Sequence, residues 1–268
     1  MKLSVTTLGW PIATLDQVLG DVKKCGGFAG IDFRGLGEEL DITKLPAFNA
    51  DLDKTLAKVR AAGLTVSGLS TSVRLVANDK GDRKEGEVDS YCPLADRMGV
   101  PFIRIFGGQK RANQSRDQWM AEAVGNMKRD LDRTSASKAL ICLETHDDWC
   151  HSGDVAELLD KVNHPRAAAL WDIFITNLSG GEPVAQSAAT LGKHIRYTHV
   201  KDGYAEGEKH VLTLPGKGKV DLLGAAKALK NIGYDGWLTF EWEKRWHPEL
   251  PDAAVALPAY RDLFKAVV

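Results

Sequence analysis

Residues 139–146 read Ala-Leu-Ile-Cys-Leu-Glu-Thr-His, and this stretch decides the reading of the chain. Five apolar residues run straight into Glu144 and His146. A strand that is apolar on both faces belongs in a parallel sheet covered by helices. A carboxylate and an imidazole at the end of such a run lose their hydration and need a metal, a partner or a substrate in compensation. The same device recurs downstream: Ala167–Trp171 ends in Asp172, Ile195–Thr198 ends in His199, and Trp237–Phe240 ends in Glu241. The intervals 144 to 172, 172 to 199 and 199 to 241 are 28, 27 and 42 residues. The first two match one strand–helix unit of a (β/α)8 barrel, in which ~250 residues serve eight units and the strand ends converge on one mouth.

Outward from that stretch, the pattern predicts eight strands alternating with eight helices. Upstream, strands are expected over 2–8, 28–35, 64–70 and 101–108, and helices over 15–25, 50–62, 88–98 and 116–134. Thr14 and Ser115 stand where N-caps belong, and glycines close most helices. Downstream, helices are expected over 153–162, 183–191, 222–231 and 258–268, with 203–219 a polar loop. The charged, Gly-punctuated stretch 78–87 reads as a solvated surface loop or a lid. Such alternation means a closed barrel or a doubly wound sheet. The count of eight and the spread of polar strand ends favour the (β/α)8 TIM barrel, with residues 1–268 as one domain.

Bulk properties exclude other classes. The formal net charge is −1, which argues against nucleic-acid binding, because such binders carry a basic patch or stripe. No apolar run approaches the ~18 residues of a membrane span. The N-terminus MKLSVTTLGW lacks the apolar core of a signal peptide. Four cysteines, Cys25, Cys92, Cys142 and Cys150, show no CxxC spacing. They read as reduced thiols of a cytoplasmic protein.

Glu144, Asp172, His199 and Glu241 form an oxygen-rich ligand set. Such ligands suit Mn²⁺ foremost, with Mg²⁺, Co²⁺ or Zn²⁺ as further choices, and four of them leave about two positions open on an octahedral ion. The bland alternative is a set of strand-end salt bridges. Four such residues closing successive apolar runs weigh against it.

LETH at Glu144, WD at Asp172, HVKD at His199 and GYDGWLTFEWE at Glu241 together resemble the xylose-isomerase-like barrels. That superfamily holds sugar and sugar-phosphate isomerases and epimerases, with inosose dehydratase and endonuclease IV as relatives. The resemblance covers nearly the whole chain, and GIDFRG at 30–35 looks like the family's second strand with Asp32 where Glu is commoner. It implies one divalent metal held by Glu144, Asp172, His199 and Glu241. It also implies catalysis by Glu144 and Glu241, facing one another across the substrate. One removes the proton α to a metal-bound carbonyl, and the other returns a proton through an enediolate. The activity expected is isomerisation or epimerisation of a sugar, keto-sugar or cyclitol. The alternative is a lyase, a dehydratase or β-eliminase, on the same site. A non-catalytic barrel subunit is the reading from another class. Homo-oligomerisation is expected at the level of the family only.

Residues two apart on a strand share a side, so His146 follows Glu144 and Lys201 follows His199 toward the mouth. Both are candidate substrate contacts, as are Trp10, Arg34 and Arg104 at strand ends and Arg245 in KRWHP. Gly216-Lys217-Gly218-Lys219 is either a phosphate cradle or a surface turn. One departure stands out. Related barrels often carry a histidine two or three residues after the strand-six Asp, and here Phe174 and Ile175 occupy those places. A less polar wall suits a bulkier or less hydroxylated substrate, or a lyase step.

Overall fold

The apolar runs of the sequence become the staves of a barrel. In the computed structural model, which describes residues 1–77, 80–207 and 209–268, the strands are β1 (Lys2–Thr6), β2 (Gly30–Phe33), β3 (Thr65–Arg74), β4 (Phe102–Phe106), β5 (Leu140–Glu144), β6 (Ala167–Asp172), β7 (Ile195–Val200), β8 (Asp202–Glu206), β9 (Lys209–Thr213) and β10 (Trp237–Phe240). The helices are α1 (Leu15–Cys25), α2 (Leu52–Ala61), α3 (Gly86–Met98), α4 (Arg116–Arg133), α5 (Ser152–Val162), α6 (Ile173–Leu178), α7 (Val184–Leu191), α8 (Leu222–Asn231) and α9 (Ala253–Phe264). Eight parallel strands close in the order β1-β10-β7-β6-β5-β4-β3-β2, and β8 and β9 form a separate antiparallel pair. The (β/α)8 barrel expected from the sequence is the fold found.

Caps and packing explain the elements. Thr14 and Ser115 each make a full capping box, with Gln17 and Gln118 as reciprocal partners. Leu15, Val18, Leu19 and Val22 bury one face of α1, at the spacing of a half-buried helix. The main core lies between strands and helices. A second, small cluster fills the barrel interior: Cys142, Ala168, Leu170 and Tyr197, with Phe102, Leu140 and Trp237 against it. Above this apolar plug the inward positions turn polar. Asp172 pairs in register with His199, and His199 with Thr239. Asp172 and His199 thus close neighbouring strands in register, while Glu241 lies two residues beyond the partner of His199.

Four expectations need correction. The segment 203–219 is not a plain loop, since Asp202–Glu206 (β8) pairs antiparallel with Lys209–Thr213 (β9). A short helix, α6, follows Asp172 directly, and the Asp172 carboxylate caps it by accepting from the Ile175 N–H at 3.2 Å. The last helix starts at Ala253, and Pro258 lies inside it. That proline is tolerated because the carbonyl four residues back belongs to exposed Ala254 and can bond to water. The stretch 78–87 includes residues 78 and 79, which lie outside the described residues. In the rest of it, Arg83 pairs with buried Asp130 at 2.8 Å and α3 begins at Gly86.

Among the described residues no helix is long and apolar enough to cross a membrane. All four cysteines are free.

Candidate active site

The buried end of each apolar run delivers its polar residue to one place. Glu144, Asp172, His199 and Glu241 are all at most 4% exposed. His199 Nδ1 lies 2.6 Å from Glu144 Oε1 and 3.2 Å from Glu241 Oε1. The donor atoms of Glu144, His199 and Glu241 all fall within 4.8 Å of one another. One imidazole nitrogen and two carboxylates at this spacing fit a divalent ion of the manganese or zinc kind. Glu144 Oε2, although buried, accepts no hydrogen bond and has the Arg104 Nε at 3.3 Å as its ion-pair partner.

Asp172, expected as the fourth ligand, lies outside this cluster. One of its oxygens caps α6, and the other accepts from Lys201 Nζ at 2.6 Å. The Lys201 ammonium also meets Glu241 Oε2 at 2.5 Å and Glu243 Oε1 at 2.8 Å. Glu241 thus serves two cations, His199 through Oε1 and Lys201 through Oε2. Glu243 was not singled out in the sequence as a site residue. Its signal is its position, two residues beyond Glu241 on the same side.

Electrostatics follow from this packing. Burial alone would raise the Glu144 carboxyl, but the charges of Arg104 and His199 overcome it and bring the pKa to about 2. Burial would lower His199, yet Glu241 and Glu144 raise it to about 10. Burial raises Asp172 to about 6 against the opposing pull of Lys201. Lys201 is held well above its ordinary value, because Asp172, Glu241 and Glu243 outweigh its desolvation.

Arg104 and Arg34 take up positions beside the cluster. Arg104 Nε is 3.3 Å from Glu144 Oε2, and its guanidinium lies over the Phe106 ring at 3.8 Å. Arg34 donates to Ser72 Oγ at 3.0 Å. His146 pairs with Asp147 at 3.0 Å and packs against Phe106, with ring centroids 4.8 Å apart. Phe174 is buried, and its ring centroid lies 5.7 Å from Lys201 Nζ. Below the cluster, Asp32 Oδ1 accepts from Ser70 Oγ at 3.0 Å, while Oδ2 is buried without a hydrogen bond.

Two candidate substrate contacts are turned to other work. Trp10 donates its indole N–H to Asp21 on α1 at 2.9 Å, away from the carboxylates. Arg245 binds the carbonyls of Pro11, at 3.1 Å, and Gly37, at 2.6 Å, together with that of Glu38, and so ties two loops together. Loop carbonyls without a backbone donor take up a long guanidinium readily, and the sequence alone does not reveal them. Trp242 is core, as its 1% exposure shows. The Gly216–Lys219 string does cradle an anion, but an internal one. Asp202 Oδ2 accepts from the N–H groups of Gly216 at 2.8 Å and Gly218 at 3.0 Å, and Oδ1 from that of Val220 at 3.3 Å.

Comparison with known proteins places this architecture. The chain is 30% identical over 92 residues, 34% of its length, to fructoselysine 3-epimerase of Escherichia coli O157:H7. It spans about a third (32%) of the length of that relative. The probable 3-DHS dehydratase AsbF of Bacillus anthracis superposes with a TM-score of 0.80 at 18% identity, over 99% of both chains. The IolI protein, whose crystal structure has a binding zinc atom, superposes with a TM-score of 0.78 at 19% identity, over 100% of this chain and 99% of that one. The family described as xylose isomerase-like TIM barrel matches residues 19–262. With its closed barrel and this match over most of its length, the chain belongs to the xylose isomerase-like TIM barrel family.

Proposed function

We propose that the protein is a divalent-metal-dependent isomerase or epimerase of a sugar, keto-sugar or cyclitol. The observation that carries this reading is the convergence of Glu144 and Glu241 on His199 Nδ1, at 2.6 and 3.2 Å, at the C-terminal mouth of a barrel. Glu144, His199 and Glu241 hold the ion, Mn²⁺ foremost. Asp172 stands next to them as the shared partner of Lys201. When bound, the ion supplies Lewis-acid polarisation of a carbonyl.

The side chains do the rest. Glu144 and Glu241 are the paired acid and base: one takes the proton α to the carbonyl, and the other returns one. Lys201, kept protonated by three carboxylates, presents a buried cation to the oxyanion that develops. His146 and Phe174 border the same mouth and exclude water from it. The relative that epimerises fructoselysine supports a sugar substrate, and the four free thiols suit a cytoplasmic setting.

The test is proton exchange. Incubation with ketohexoses and Mn²⁺ in D₂O, followed by NMR, should show deuterium entering the carbon next to the carbonyl. Glu144→Gln and Glu241→Gln should each abolish it. Exchange that survives both substitutions would refute the assignment. A lyase on the same site is the second reading, favoured by the apolar Phe174 wall beside Lys201. Formation of an ultraviolet-absorbing unsaturated product would select it.

A further inference from the structure

Two guanidiniums are buried beside the candidate site, and neither is fully partnered. Arg104 is 2% exposed and Arg34 7% exposed. They flank β3 from either side: Arg104 pairs in register with Ser70 on that strand, and Arg34 reaches Ser72 on it. Arg34 Nη1, Arg104 Nη1 and Arg104 Nε are all buried without a hydrogen bond. Burying a charged donor without a partner is expensive. Burying two like charges together is more so. The burden registers on Arg34, which burial and then the charge of Arg104 lower to about 10.

The available counter-charge falls short. Arg104 has one carboxylate in ion-pair range, Glu144 at 3.3 Å, and Glu144 also serves His199 at 2.6 Å. Arg34 makes no ion pair among the described residues; Glu87 acts on it only from farther away. Glu144 is therefore a shared counter-charge, and Glu241 and Asp32 act on Arg104 only from farther away.

We propose that Arg34 and Arg104 together bind a carboxylate carried by the substrate, so that the enzyme acts on a sugar acid, keto-acid or carboxylated cyclitol. This deepens, and rests on, the reading of the site as that of a sugar-converting enzyme. The two unpartnered Nη1 groups, one from each guanidinium, are charge-assisted donors of the kind a carboxylate takes. The Phe106 ring beneath Arg104 fixes the plane of that guanidinium. A phosphate is the competing anion. The Gly216–Lys219 backbone nest that would hold one is already filled by Asp202.

Isothermal titration of the full chain with glucuronate, glucose and glucose 6-phosphate isolates the charged substituent on one ring. Glucuronate should bind at least about tenfold more tightly than glucose, as expected for two charge-assisted hydrogen bonds. Arg34→Gln and Arg104→Gln should each reduce that preference about tenfold. Should Arg104→Gln fail to fold, Arg34→Gln carries the test, because Arg34 makes no ion pair among the described residues. Equal affinity for glucuronate and glucose, including none detectable, would overturn the proposal. So would a preference that survives in the folded variants, or one for glucose 6-phosphate over glucuronate. Metal content and deuterium exchange on neutral ketoses are read in parallel. A protein that binds metal and exchanges protons but ignores the carboxylate loses this inference and keeps the functional reading. One that prefers glucuronate but neither binds metal nor exchanges does the reverse.

Discussion

Lys201 Nζ lies 2.6 Å from Asp172 Oδ2, and the same ammonium bridges to Glu241 and Glu243. One buried cation therefore holds three carboxylates drawn from the ends of two strands. Removing one partner of a buried ion pair leaves the others charged and unpaired, at a cost of about 3–5 kcal/mol. Lys201→Met should destabilise the fold by that amount in urea unfolding. Adding Asp172→Asn to Lys201→Met should recover part of the loss, because it removes one of the stranded charges. A Lys201→Met protein of wild-type stability would contradict this account.

The separation of Asp172 from the Glu144–His199–Glu241 cluster makes a prediction about metal affinity. Glu144→Gln and Glu241→Gln should strip the ion, measured as metal content after dialysis. Asp172→Asn should act as a neighbour of the ligands does, weakening binding about 10- to 100-fold in a competition titration. Complete loss of metal in Asp172→Asn would make Asp172 a ligand in its own right. Full retention in Glu241→Gln would remove Glu241 from the ligand set.

How far the sequence was readable follows from where each signal lies along the chain. The apolar runs of β5, β6, β7 and β10 carry their own evidence of burial, and each ends in a polar residue whose cost is visible in the same few letters. Barrel and cluster were both legible for that reason. The ion pairs of Lys201 were not legible, because two of its three carboxylates, Asp172 and Glu241, lie 29 and 40 residues away. The Asp202 cradle was hidden because its donors sit 14 to 18 residues downstream, in a stretch whose polarity reads as loop. Asp172 was read as the end of a strand. An Asp just before an apolar run is also an N-cap signal, and it does both jobs here. Trp10 and Arg245 stand where a pocket would want them, but nothing local says which way a side chain turns at a strand end.

The Asp202 cradle gives a backbone prediction. A Cβ at Gly218 would lie 2.0 Å from Asp202 Oδ1 and 2.3 Å from the Gly203 nitrogen. No rotamer relieves a contact with backbone, so the loop must move off the carboxylate. Gly218→Ala should cost about 2–3 kcal/mol, the scale of losing hydrogen bonds to a charged acceptor. It should also raise amide exchange in the β8–β9 pair. A neutral Gly218→Ala with unchanged exchange would show that the cradle does not hold the pair.

The loop after β4 supplies a pH dependence. Arg111 Nη1 donates to Glu122 Oε1 at 3.2 Å, Arg111 Nη2 to Glu122 Oε2, and Gln114 Nε2 to the same oxygen at 2.7 Å. Partial burial would raise the Glu122 carboxyl, but these donors hold it below its ordinary value of 4.5. Glu122 therefore binds its proton less tightly in the folded chain than in the unfolded one. The clamp stabilises the fold fully above pH 4.5, and that stabilisation fades as the pH falls through the lower folded value. Arg111 is 39% exposed, so solvent screens the pair and its contribution is about 0.5–1 kcal/mol. Glu122→Gln should be less stable than wild type by that margin at pH 7. The two unfolding curves should converge as the pH drops below 4.5, and a gap that persists unchanged into strong acid would place the effect in packing rather than in charge.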